Sequence, residues 1–191
     1  MAGLREQHRV TTRRALEDAA LRLFARDGYE ATGVEAIAAA AGVSPRTFFR
    51  YFATKDEVLT PDREERQAAL VAEVGRLAGS GRTALQVAAA ALVVIAPSFE
   101  AERGALQLRR RAAMTSPVLR GRLYDVVHTW QRTLASALTE AVGPGLEADV
   151  AAEAAIAVWQ GAITRWLADD GTELADHLVG GFAALRSDGQ G

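Results

Sequence analysis

The sequence predicts an all-α protein: an N-terminal three-helix head of helix-turn-helix type, then a C-terminal helical bundle, about nine helices in all. Three observations carry this. The composition is 49% hydrophobic but only 6% aromatic, with abundant alanine, which suits closely packed helices. Apolar residues recur at helical spacing between Gly and Ser-Pro breaks, and no run of alternating Val, Ile and Thr is long enough for a strand. The 191 residues fit a small domain joined to a mid-sized one, divided as 1–54 and 55–191.

Taken in order, residues 1–10 read as a mobile arm carrying Arg5 and Arg9. Helical periodicity starts at Thr12 and runs to Arg26, where Asp27-Gly28 stops it. A second short helix fits Val34 to Ala41 and ends at Gly42. Ser44-Pro45 opens a third, with serine as cap and proline at the first helical position. Thr54-Lys55-Asp56-Glu57 is a capping-box pattern for a fourth helix. Pro61 is expected to interrupt that helix before it recovers to Ala78. Further helices fit 82–95, 98–114, 117–142, 148–169 and 173–186, separated at Pro97, Ser116-Pro117, Gly143-Pro144-Gly145 and Gly171-Thr172.

Composition removes several classes of function. With no cysteine, disulfides, thiolate catalysis and sulfur-held zinc are excluded. The three histidines, at 8, 128 and 177, have no metal-binding spacing, so neither a metal nor a cofactor is expected. The first ten residues lack the apolar core of a signal peptide. The most apolar stretch, Ala84 to Ala96, is shorter than the roughly 20 residues a bilayer span needs. A cytoplasmic protein without a membrane partner is the expectation. The net charge of −2 conceals an asymmetry: residues 1–55 carry nine Lys/Arg against six Asp/Glu, and the remainder thirteen against eighteen. A head at +3 on a body at −5 suggests that the head meets a polyanion.

The informative segment is Ile37 to Phe52. Ala38 leaves room for two helices to approach, Gly42 four residues later makes the turn, and Val43 and Phe48 fill the small core between them. That is the steric recipe of a helix-turn-helix, and it places the third helix in a DNA major groove. Ser44 opens that helix, and Pro45, Arg46, Thr47, Phe49 and Arg50 form its exposed face. Arginine can bind both acceptors of a guanine edge. Thr47 and Tyr51 supply hydroxyls for phosphates, and Lys55 adds a phosphate-directed charge.

The stretch ALEDAALRLFARDGYEATGVEAIAAAAGVSPRTFFRYFATKDEVL resembles the DNA-binding domain of tetracycline-repressor family regulators. The resemblance rests on Phe-Ala-x-x-Gly-Tyr, Ala-Thr, Ile-Ala, Ala-Gly-Val-Ser and Phe-x-Tyr-Phe-x-x-Lys. It implies an all-helical homodimer that binds double-stranded operator DNA, with a C-terminal domain that takes a small ligand and dimerises through its last two helices. Carried over by position, Arg46, Thr47, Tyr51, Lys55 and position 49 match DNA-contacting places. Three residues depart from the family pattern. Phe49 stands where tyrosine is usual, Arg50 replaces a commoner histidine, and Gly33 stands where Ser or Thr often caps the second helix. Thr32 is the candidate to take over that last contact.

The run from Leu108 to Leu138 is similar to a subgroup of these regulators linked to acyl-CoA or lipid-like ligands. The candidate lining is Phe99, Leu106, Met114, Tyr124 and Trp130, mostly apolar, which points to an apolar or amphipathic effector of acyl-CoA or fatty-acid kind. Arg109, Arg110 and Arg111 point in three directions about 100° apart. One of them, or His128 on the face of Tyr124, could hold a polar head; a solvated face and a satisfied core pair are the alternatives. For dimerisation the candidates are Ala157, Val158, Gly161, Leu178, Gly181 and Phe182, in an apolar stripe where small residues allow close helix approach. The expected function is a ligand-responsive regulator, a repressor. A helical small-molecule-binding protein or enzyme using the same bundle is the alternative. No catalytic residues are expected, because no phosphate loop or nucleophile with a partner base is found.

Overall fold

The computed structural model describes residues 2–59 and 63–187. Among them there are nine α-helices and no strand: α1 (Ala2–Asp27), α2 (Val34–Ala40), α3 (Pro45–Tyr51), α4 (Arg63–Leu77), α5 (Ala84–Glu100), α6 (Arg103–Thr115), α7 (Pro117–Val142), α8 (Leu146–Trp166) and α9 (Leu174–Ser187). The all-α expectation therefore holds. The expected arm is instead the opening of α1. The expected fourth helix is in two pieces, a 3-10 turn over Lys55–Leu59 and then α4. The kink expected at Pro61 lies outside the described residues. No single helix among those described is long and apolar enough to cross a membrane.

Pro97 does not end a helix as expected, because α5 runs through it to Glu100. Its apolar stripe continues past the proline, with Leu92, Ile95, Ala96 and Phe99 all buried. Burial there outweighs the hydrogen bond that proline cannot make. α5 starts with a reciprocal capping box: the Gln86 amide donates to the Thr83 hydroxyl, and the Thr83 amide donates to the Gln86 side chain. At Thr54, by contrast, the expected box forms only in part and one residue early, since Glu57 accepts from the amide of Ala53 at 2.7 Å.

The chain forms two compact units, one of Met1–Pro61 with Gly104–Tyr124 and the other of Asp62–Arg103 with Asp125–Gly191. The first is built around large side chains. Leu16, Leu21, Phe24, Ile37, Phe48 and Phe52 share one buried cluster with Ala112, Ala113 and Leu119 from α6 and α7. The second packs α5 against α4, α8 and α9, and α8 against α9. Much of its interior is alanine: Ala84, Ala88 and Ala91 on α5 and Ala148, Ala151, Ala152 and Ala155 on α8 are all buried. Two charged side chains finish helix ends in this unit. Glu100 accepts from the amides of Leu174 and Ala175 at the start of α9. Arg103 donates to the carbonyls of Trp166 and Asp169 at the end of α8, stacking on the Trp166 ring at 4.7 Å.

Candidate nucleic-acid interface

The two short helices meet as the sequence requires. Ala38 is fully buried, its carbonyl accepts from the amide of Val43 at 2.9 Å, and Gly42 takes a φ of +70° between them. That left-handed conformation is open to glycine at little cost. Ser44 then caps α3, accepting from the Thr47 amide at 3.2 Å, with Pro45 in the first turn. Phe48 points inward, fully buried, with its ring 5.4 Å from that of Phe52. Helices of seven residues are too short to persist alone. These caps and the Phe48 anchor supply what they lack.

With Phe48 inward, the opposite face of α3 is outward. Ser44, Pro45, Arg46, Phe49 and Arg50 are exposed, and Thr47 and Tyr51 are half-buried. Arg50 lies over the Tyr51 ring at 5.2 Å and donates to its hydroxyl at 3.4 Å. This face carries fixed guanidinium donors and no carboxylate, the chemistry that reads guanine edges and phosphates.

Two of the residues expected at DNA are occupied inside the protein. Lys55 donates its ammonium to the carbonyls of Tyr29 (2.7 Å) and Thr32 (3.1 Å) and sits 4.0 Å from the centre of the Tyr29 ring. Two of its three N–H groups thus close the loop between α1 and α2. Thr32 is 3% exposed, and its hydroxyl donates to the carbonyl of Gly28 at 2.7 Å. Around them is a polar clasp that the sequence did not reveal. Tyr29 donates to Asp56, Asp56 pairs with Arg122 at 3.0 Å, and the Ser116 hydroxyl donates to Glu30 at 2.8 Å while capping α7. The Ser116 bond holds the Glu30 carboxyl below its ordinary range, and burial, then the Asp56 charge, pushes the Tyr29 phenol up.

Phe99 and Trp130, both expected to line a ligand site, come together in the second unit. Phe99 meets Trp130 at 5.9 Å and Trp159 at 4.7 Å between ring centres, and Arg66 stacks 4.4 Å from the Phe99 ring. Neither Trp159 nor Arg66 was expected there from the sequence. Arg66 also pairs with Glu102 at 2.9 Å and lines a cleft of about 560 Å³ between α4 and α5 with Ala69, Ala72, Val94 and Ile95. Of the three consecutive arginines, Arg109 is 5% exposed, while Arg110 and Arg111 face solvent. Leu106 is half-buried and His128 exposed. Met114 and Tyr124 are 73% and 72% exposed.

On α8, Ala157 and Gly161 lie exposed and Val158 half-buried. A Cβ added at Gly161 would meet nothing within 4 Å, whereas one at Gly181 would come within 2.7 Å of Val158. Gly181 therefore lets α9 approach α8 within the chain. Leu178 and Phe182 are buried in the chain's own core, so neither is on an outward face.

A capped helix-turn-helix with a basic, carboxylate-free outer face, followed by a helical bundle, defines a DNA-binding regulator. Residues 16–60 match the family model for bacterial regulatory proteins of the tetR family, and residues 82–189 match the MftR C-terminal domain. The chain belongs to the tetracycline-repressor family of transcriptional regulators, which are not enzymes. It is 28% identical over 181 residues, 92% of this chain and 90% of the other, to MftR of Mycobacterium tuberculosis, assigned as a regulator of mycofactocin biosynthesis. It is 51% identical over 78 residues to the HTH-type transcriptional regulator TcmR of Streptomyces glaucescens, a match that spans 40% of this chain and only 34% of TcmR. Among solved structures it is similar to Thermus thermophilus FadR, a repressor in complex with lauroyl-CoA (25% identity, TM-score 0.57, 91% and 92% of the two chains). The fold is also that of a regulator from Syntrophomonas wolfei (15% identity, TM-score 0.65, 94% and 95%).

Proposed function

We propose that this regulator is a homodimeric repressor that binds inverted-repeat operator DNA through α3 and is released by a largely apolar effector. In this reading residues 1–54 carry DNA recognition, and residues 55–191 carry ligand binding and dimerisation. The observation behind it is the outward face of α3, where Arg46 and Arg50 stand without a neighbouring carboxylate. Two such helices related by a two-fold axis read inverted half-sites.

The dimer surface we assign to α8 and α9. Leu146, Val150 and Val179 are exposed apolar residues, and Ala157 and Gly161 continue the α8 stripe. The absence of any intrachain neighbour to the Gly161 Cβ supports an approach from outside the chain. Gly161→Leu is expected to weaken dimerisation. A wild-type protein that sediments as a monomer at micromolar concentration would contradict this assignment.

The effector we place at the α4–α5 cleft, whose volume is within the usual range for small-molecule sites. Ala69, Ala72, Val94 and Ile95 would meet an apolar tail, and Arg66 and Arg76, beside Glu65 and Glu73, an anionic head. The lauroyl-CoA held by the similar FadR chain, and the stearoyl-CoA held by FadR of Bacillus subtilis (22% identity), support an acyl-CoA or fatty-acid-like effector. The test is operator binding measured against a panel of acyl-CoAs, fatty acids and hydrophilic metabolites. Release by long-chain acyl compounds alone is the expected result. Release by a hydrophilic metabolite alone would overturn the apolar site.

A further inference from the structure

Phe49 is the largest apolar group on the outer face of α3, 56% exposed, one residue after the fully buried Phe48. Their rings meet edge to face with centres 5.5 Å apart. Phe49 is not part of the buried core cluster. Keeping half of a phenyl ring in water forgoes burial and gives the isolated head nothing. The side chain has no donor or acceptor, so it cannot bond a phosphate, a ribose or a polar base edge. The one group in the major groove that an apolar side chain distinguishes is the 5-methyl of thymine.

The neighbours of Phe49 sharpen this. Arg46, Phe49 and Arg50 stand at i, i+3 and i+4, so they form one continuous surface. Arg50 is stacked on Tyr51, which leaves Arg46 and Phe49 as the leading pair. They are three residues apart, about 4.5 Å along the helix, against a base-pair step of about 3.4 Å. The two side chains therefore reach base pairs one or two steps apart.

We infer that Phe49 is a specificity-determining residue that reads the methyl group of a thymine in each half-site, one or two base pairs from the guanine read by Arg46. This rests on the reading that α3 enters the major groove. Within that reading it gives position 49 a base contact.

The experiment replaces each thymine of a selected inverted-repeat site in turn by deoxyuridine, which removes only the methyl. Affinity is measured for the wild type, Phe49→Ala and Phe49→Leu. For the wild type, one thymine per half-site should show a loss of about fourfold, roughly fifteenfold when both half-sites are changed, as expected for one buried methyl. Phe49→Ala should bind the thymine and deoxyuridine sites alike, and Phe49→Leu should keep part of the discrimination. Placing 5-methylcytosine at that position should recover part of the wild-type affinity. If the wild type binds the inverted repeat but ignores every methyl, the inference fails and DNA recognition stands. It fails equally if Phe49→Ala remains sensitive to the methyl, because another group then reads it. If no inverted repeat is bound at all, the failure lies in the proposed function instead.

Discussion

The two compact units differ in helix length and in what fills the space between their helices. The first relies on a few large side chains, Phe24, Phe48, Phe52, Leu16, Leu21 and Ile37, that reach across helices as short as seven residues. The second also buries large side chains, Trp166, Leu92, Leu134 and Leu138, but adds many small ones, the alanines of α5 and α8 and Gly181 on α9, along helices of 14 to 21 residues. A long helix needs little from any single contact. A short one needs an anchor, because so few backbone bonds share the cost of its nucleation. The first unit should therefore be sensitive to losing bulk and the second to gaining it.

The largest expected effect comes from the first unit. Phe48→Ala removes its central ring and should cost about 3–5 kcal/mol, read as loss of cooperative melting and of DNA binding. A change under about 1 kcal/mol would break the comparison. In the second unit the damaging change is an addition. Gly181→Ala drives a methyl to within 2.7 Å of the Val158 side chain, a β-branched residue with little rotamer freedom. The overpacking should cost about 1–3 kcal/mol, in part offset by the roughly 1 kcal/mol gain in helix propensity. Val158→Ala in the same chain should restore most of the loss. A stabilised single mutant, measured by thermal melting, would show that this contact is not tight.

A smaller effect is expected at Lys55. Lys55→Met removes two charge-assisted bonds to carbonyls and should cost about 1–2 kcal/mol of stability in the first unit. If those two bonds keep the ammonium at the loop, the dependence of DNA affinity on salt should not change. A fall of about one in that slope would show that Lys55 also neutralises a phosphate. The smallest expected effect is a response to acid. Glu30 is held below its ordinary 4.5 by the Ser116 bond, so its contribution is present above that value and lost as pH falls below it. Ser116→Ala should flatten the acid limb of the stability profile, and an unchanged limb would show that Glu30 contributes nothing there.

The helix order and the turn geometry were legible in the sequence because their determinants are local. Ala38, Gly42, Ser44 and Phe48 lie within eleven residues, and each acts on its neighbours. Contacts over long sequence distances were not legible. Lys55 reaches carbonyls 23 and 26 residues away, so its type suggests a phosphate contact while its position serves a loop. The order Arg109-Arg110-Arg111 gives no sign that only the first is buried. Met114 and Tyr124 are large and apolar, and no local rule shows that both stand exposed in the chain. Trp159 reads from its helix as a packing residue, but its meeting with Phe99 and Trp130 joins three helices well apart in sequence.

The membership of Ala112, Ala113 and Leu119 in the core of Leu16, Phe24 and Phe48 has a consequence for synthesis in the cell. Residues 1–61 emerge from the ribosome without the last wall of their own interior. That wall arrives when residue 124 has been made, roughly three to thirteen seconds later at about 5–20 residues per second. Through that interval the nascent head holds apolar rings with no lid, and closing the gap means closing a loop over the 42 intervening residues Asp62–Arg103. Ribosome-bound chains stopped before α6 should therefore be open to protease and chaperone, and chains stopped well after Tyr124 should be closed to both.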